Sequence, residues 1–144
     1  MKYFNNLENY ILSNIEKFDH KIGEFALLNN DREIQHFIGV VESTYNLQCM
    51  LAIYYPPGGG LGWHTNEEAN MYNAIVTYST SNESFIELKD KKVYDKANIW
   101  TVKYTYWTED NPIPHRVVSL DHRISFAFSS PEEHRVRTFI SSIS

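Results

Sequence analysis

Four residues carry the clearest prospect of metal and anion chemistry: His64, His115, Arg123 and Ser125. His64 sits in Trp63-His64-Thr65-Asn66, directly after a glycine run and where a strand is expected to start. Side chains two apart on a strand share a face, with Cα atoms about 6.6 Å apart, so His64 and residue 66 can reach one ion. A second strand start falls at Ile113-Pro114-His115-Arg116-Val117, and Arg123-Ile124-Ser125 follows inside an apolar strand. An arginine turned inward on a strand is costly unless an anion meets it. Its planar fork matches a carboxylate, and a hydroxyl two residues away adds a further donor, as the far end of a dicarboxylate would require. Two imidazoles with one oxygen donor leave three positions of a divalent ion open, the arrangement a non-haem iron(II) centre needs.

In this order and spacing the residues resemble the iron(II)/2-oxoglutarate dioxygenases, whose signature is His-x-Asp/Glu, a distal His and an Arg-x-Ser beyond it. The resemblance covers the chain from about Met50 to Ser130. Tyr55-Pro56-Pro57-Gly58, ahead of His64, is similar to the tyrosine–glycine run that precedes the first metal ligand in AlkB-type demethylases. The stretch Tyr54 to Asn66 also resembles small oxygenase-like proteins carried by tailed phages. The resemblance implies an iron(II) ion on His64, Asn66 and His115, which would form the catalytic set. It implies 2-oxoglutarate as co-substrate on Tyr55, Arg123 and Ser125. The expected activity is hydroxylation of an unidentified substrate by molecular oxygen, coupled to conversion of 2-oxoglutarate to succinate and carbon dioxide. Trp63, Tyr72 and Trp107 are candidates for the substrate wall.

Position 66 departs from that pattern, because the family has a carboxylate where this chain has Asn. Losing the anionic ligand removes about one unit of negative charge from the metal's surroundings. Three outcomes are open: the Asn66 side-chain oxygen ligates the ion, water or a halide takes the position, or Glu67 or Glu68 supplies the carboxylate. On an extended strand Glu67 points away, and Glu68 lies about 13 Å from His64.

Other residue types have simpler explanations. His20, His36, His122 and His134 read as structural or surface groups, and Tyr55 could equally be core packing. Arg123 could pair with a carboxylate of the fold. Glu83 and Glu87 share a strand face but stand too far apart for a glycosidase pair. Cys49 reads as buried rather than nucleophilic, Gly58 to Gly60 as a flexible mouth loop, and Asp90-Lys91-Lys92 with Lys96 as a solvated turn. Two rival functions follow: a degenerate protein that binds metal or ligand without turnover, and a cupin-like metal enzyme independent of 2-oxoglutarate. An inward Arg123 two residues from a serine separates the oxygenase from the second rival.

These residues need a β scaffold to bring them together. Apolar spacing at Leu7, Tyr10, Ile11 and Ile15, then Phe18, predicts one helix; Ile34, Phe37, Ile38, Val41 and Tyr45, after Asp31 as N-cap, predict a second. From Leu47 the period changes to that of strands: Gln48 to Tyr55, Tyr72 to Tyr78, Ser84 to Leu88, Ala97 to Tyr106, Arg116 to Val118 and Arg123 to Phe128. Further strands are possible at Gly23 to Leu28 and Arg135 to Ile140. The expectation is an α+β protein, a double-stranded β-helix (jelly roll) with N-terminal helices packed on the sheet. A single domain over 1–144 is expected, with 1–46 as mainly helical support and 47–144 as the β-helix core. With 144 residues, 42% hydrophobic and 15% aromatic, the chain is of a size and composition that bury one core. A net charge of −5 gives no reason to expect duplex nucleic acid as partner. One cysteine excludes an internal disulfide and fits a reducing compartment. Residues Met1 to Ile15 carry no apolar run suited to a leader or membrane span, so a cytoplasmic protein is expected, in a host cell if phage-borne.

Overall fold

The computed structural model describes residues 1–18, 24–65, 70–108, 110 and 112–144. Helix α1 (Leu7–Ser13) is followed by a 3-10 turn (Ile15–Lys17), and α2 spans Arg32–Tyr45. Among the described residues there are nine strands: β1 (Ala26–Leu27), which precedes α2, then β2 (Gln48–Tyr55), β3 (Gly60–His64), β4 (Met71–Ser79), β5 (Phe85–Leu88), β6 (Lys91–Tyr94), β7 (Thr101–Trp107), β8 (His115–Val118) and β9 (Arg123–Ser130). Helix α3 (Glu133–Ile143) closes the order.

From β2 onward the strands form a folded ribbon. β2 pairs with β9, β3 with β8, β4 with β7 and β5 with β6, all antiparallel. Rolling the ribbon lays β4 beside β9 and β5 beside β8. Two sheets result, ordered β1-β2-β9-β4-β7 and β3-β8-β5-β6. This is a jelly-roll-like architecture, in which rolling disposes of most strand edges.

Strand alternation assigns the layers. Ala52, Tyr54, Ala74, Val76, Ile124, Phe126 and Phe128 point to one side of the five-stranded sheet. There they pack with Phe4, Ile11, Ile34, Val41 and Phe139 in one buried core. On the other side Ile53 and Tyr55 meet Val117 of the four-stranded sheet, with Leu51, Leu61 and Ile86 packed around them. The helices thus cover one face, and the smaller sheet covers the other.

Several sequence expectations change. Arg135 to Ile140 lies in α3 rather than in a strand. Val136, Phe139 and Ile143 are its buried residues, and their three- and four-residue steps are the helical period. Lys91 and Lys92 belong to β6, not to a turn, and β6 forms the outer edge of its sheet, where lysine is well suited. The strand expected from Ala97 starts at Thr101, because Asn98 adopts a left-handed φ of 63°. Of the strand suggested at Gly23 to Leu28, Ala26–Leu27 forms, while Gly23 and His20 lie outside the described residues. The glycine run is no open mouth loop. A Cβ on Gly59 would come within 2.3 Å of the Glu24 carbonyl oxygen, and one on Gly60 within 2.3 Å of that of Val117. These glycines let the backbone pass closely beside two other segments.

The Asp31 cap of α2 forms as the sequence suggests. Its Oδ2 accepts from the Glu33 and Ile34 amides at 3.1 and 3.2 Å, and also from the Tyr10 hydroxyl at 2.9 Å. Asp31→Ala should therefore cost about 1–2 kcal/mol, at the upper end for a cap because it also unpairs Tyr10. Urea denaturation followed by circular dichroism measures it.

Candidate metal and ligand site

The two sheets enclose a cavity of about 490 Å³ between their facing sides. Most of its wall is apolar: Leu51, Leu61, Ile75, Ile86, Leu88 and Val117 contribute, along with Met50, Val93, Ile113 and Trp107. His64, His115, Tyr55, Arg123 and Ser125 all line this one cavity, although up to 70 positions separate them in the chain.

His64 and His115 face each other across β3 and β8, where they are register partners. Their ring centroids are 4.2 Å apart, with an interplanar angle of 60°. Nδ1 of His64 lies 2.6 Å from the Gly62 carbonyl oxygen, and Nδ1 of His115 lies 2.9 Å from that of Ile113. A carbonyl oxygen only accepts, so each Nδ1 carries a proton, and Nε2 is the atom that bears the lone pair in the neutral form of either ring. Backbone-tethered Nδ1–H groups are the usual way a protein orients imidazoles toward a metal. Trp107 stacks on His115 at 5.9 Å and 17°, which restrains its plane. Burial pushes the His115 pKa down, the Ile113 hydrogen bond opposes this, and the charge of His64 lowers it further. The ring is thereby kept neutral, the form in which it ligates.

His64 is the last residue of β3, so the expectation that it opens a strand is corrected. Asn66, Glu67 and Glu68 lie outside the described residues. Among the described residues no group of three or more His, Cys, Asp or Glu side chains could hold a metal ion. The donor set in view is therefore two imidazoles. With metal–nitrogen bonds of about 2.1 Å, two rings at this separation are within reach of a single divalent ion.

Arg123 occupies the inner face of β9, beside Tyr55 on β2. Its guanidinium carbon lies 5.6 Å from the centroid of the Tyr55 ring. Nε donates to Asp95 Oδ2 at 2.8 Å and Nη2 to Asp95 Oδ1 at 3.4 Å. The two side chains are 2% and 6% exposed, so this is a buried ion pair. The carboxylate of the fold that the sequence allowed as Arg123's partner is thus Asp95. Ser125 Oγ is 3.2 Å from Thr77 Oγ1, a buried hydroxyl pair beside the arginine. Burial pushes the Tyr55 phenol up to about 12, so it remains a hydrogen-bond donor at neutral pH.

The remaining candidates separate. Trp107 lines the cavity. Trp63 does not: it is 53% exposed, with the Arg116 guanidinium 5.6 Å from its ring. Tyr72 stacks on Tyr106 at 4.2 Å, and strand parity sets it on the helix side of its sheet. Glu87 pairs with Arg116 at 2.6 Å. Cys49 is half-buried rather than buried, and desolvation raises its thiol to about 12, so it stays protonated at neutral pH. Sequence reasoning passed over Asp95, Lys103 and Thr105. The last two were within reach, since alternation along Thr101 to Trp107 sets Lys103, Thr105 and Trp107 on one face.

No family model matches this chain, and no curated protein matches it. Among solved structures it is similar to a predicted oxalate decarboxylase from Thermotoga maritima. The identity is 19%, over 73% of this chain and 76% of that one, with a TM-score of 0.39. It is also similar to a cupin domain from Bordetella pertussis Tohama I, at 14% identity over 58% and 88%, with a TM-score of 0.33. The chain itself is an α+β protein of two antiparallel sheets. No helix among the described residues is long and apolar enough to cross a membrane.

Removing one partner of a buried ion pair strands the other charge. Asp95→Ala should therefore destabilise the fold by about 3–5 kcal/mol, whereas Asp95→Leu combined with Arg123→Met should recover most of that loss. Chemical denaturation of the two variants beside the unaltered protein tests both halves.

Proposed function

We propose that this protein binds a divalent metal ion through His64 and His115 and holds a small organic ligand beside it in the cavity. The observation that carries this is the imidazole pair, each ring tethered at Nδ1 by a backbone carbonyl and both lining one apolar cavity. The donors suit zinc, iron, nickel or cobalt, since imidazole ligates all of them. A bound ion would supply Lewis acidity, or with iron access to oxygen chemistry. The chain's own contributions are separate from the ion's. Trp107 and the two carbonyls hold the imidazoles in place, and the apolar wall offers a surface for the ligand's hydrocarbon part. Tyr55 stays protonated as a donor within the cavity. The reading is that of a metal-dependent jelly-roll protein of the cupin-like kind, with no requirement for 2-oxoglutarate.

A second reading, the iron(II)/2-oxoglutarate oxygenase, is favoured by one specific observation: Arg123, Ser125 and Tyr55 line the same cavity as the histidines. It stands second because Asp95 already occupies the Nε and Nη2 edge of Arg123, the donors a distal carboxylate would take. In that reading Asn66 is the third metal ligand, and molecular oxygen and an unidentified substrate are the partners. Anaerobic addition of iron(II) and 2-oxoglutarate separates the two. A visible charge-transfer band followed by succinate release in air would establish the oxygenase, whereas metal binding with neither signal would support the leading reading.

Replacing either His64 or His115 by Ala should weaken zinc or cobalt binding by roughly a hundredfold, as removal of one of two protein ligands implies. Titration calorimetry measures it, and unchanged affinity in both variants would sink the proposal. A second expectation concerns pH in the metal-free protein. Folding lowers the His115 pKa, so below about 6.5 the unfolded chain takes up a proton that the folded one refuses. Stability should fall as pH drops through that value, and His115→Asn should flatten the slope. Thermal melts between pH 5 and 8 test the sign.

A further inference from the structure

The cavity's charges do not match those of a dicarboxylate site. Of its lining residues, Lys103 and Arg123 carry fixed positive charge and none is Asp or Glu. Arg123 is matched by Asp95 through two hydrogen bonds. One positive charge therefore remains, on Lys103.

Lys103 stands on β7 opposite Ile75, in the cross-strand row that runs through Ala127 to Leu51. Two residues on, Thr105 shares its face, opposite Asn73. The described residues give Lys103 no ion-pair partner. Thr105 Oγ1 is the buried side-chain polar atom left without a hydrogen bond among them. Both residues line the cavity. A buried hydroxyl without a partner calls for an explanation, and a ligand oxygen supplies one. Burial lowers the Lys103 pKa, Asp95 raises it, and Arg123 and Lys91 lower it again. An arriving anion would offset the desolvation and the repulsion by pairing with the ammonium.

We propose that Lys103 and Thr105 form the anion-binding end of the cavity, and that its ligand is a monocarboxylate with an apolar body. The carboxylate accepts from the Lys103 ammonium and the Thr105 hydroxyl. Leu51, Leu61, Ile75, Ile86 and Leu88 surround the body of the ligand. Arg123, held by Asp95, is part of the framework rather than an anchor. The inference rests on the proposed function only in taking the cavity as a ligand site; it does not need the metal.

Three probes of equal chain length separate the possibilities: octanoate, octan-1-ol and octanedioate. Each is titrated by calorimetry into the full-length chain after EDTA treatment, and again with one equivalent of zinc(II). Octanoate should bind at least tenfold more tightly than octanol without zinc, and octanedioate no more tightly than octanoate. Lys103→Met should lower octanoate affinity roughly ten- to hundredfold and leave octanol unchanged, while Lys103→Arg should retain most of it. Thr105→Val should lower octanoate affinity several-fold. The proposal is overturned by absence of octanoate binding, by equal binding of octanoate and octanol, or by equal loss of both in Lys103→Met. Tighter binding of octanedioate would also overturn it, by making Arg123 a second anchor. A preference seen only with zinc would mean that the metal reads the carboxylate. Persistence of the preference in a chain that binds no zinc would instead remove the proposed function and leave this inference standing.

Discussion

Both sides of the molecule depend on β9 being covered on two faces. All eight of its residues, Arg123 to Ser130, are buried. Ile124, Phe126 and Phe128 join the core beneath the helices. Arg123, Ser125 and Ala127 line the cavity on the opposite face. The strand is hydrogen-bonded to β2 on one edge and β4 on the other, so its ladder is complete. A one-residue slip would exchange the aromatic and polar sets, burying the guanidinium in the helix-side core and leaving phenylalanines in the cavity. That penalty pins the register, and through it the register of the neighbouring strands.

The pairing of Arg123 with Asp95 is what lets a charged residue occupy so central a strand. Alone, the guanidinium would carry a desolvation cost of several kcal/mol. With Asp95 in place it is neutralised within the protein. The same contact alters what the cavity can recognise, because an arginine committed to a buried carboxylate has fewer donors to offer a ligand. The imidazole pair stands under a different constraint. It arises where β3 meets β8, and Gly60 and Gly59 permit the close backbone approach that brings β3 there.

Much of the architecture was legible in the chain's periodicities. The strands β2, β4, β5, β8 and β9 and the helix α2 follow alternation or three- and four-residue steps, and Asp31 caps α2 as its position implies. Errors fell where a local signal was short or ambiguous. Arg135 to Ile140 is too brief to separate a strand from a helix without the buried partners Phe139 and Ile143. Lys91 and Lys92 look like a solvated turn because an edge strand is itself solvated. Trp63 is a candidate for the substrate wall by residue type alone, and type does not report which way a residue points on a strand that bulges between Leu61 and His64.

By itself the sequence determined which residues could do chemistry: two histidines suited to a metal, and an arginine and serine on one strand face. It did so because residue type and strand parity are local properties. Only the tertiary structure decided that these residues share one cavity, that Asp95 takes Arg123, and that Lys103 lines the same cavity without an ion-pair partner among the described residues. Those outcomes depend on how a rolled ribbon brings distant strands into register, and no local pattern of side chains encodes which carboxylate will arrive beside a buried guanidinium.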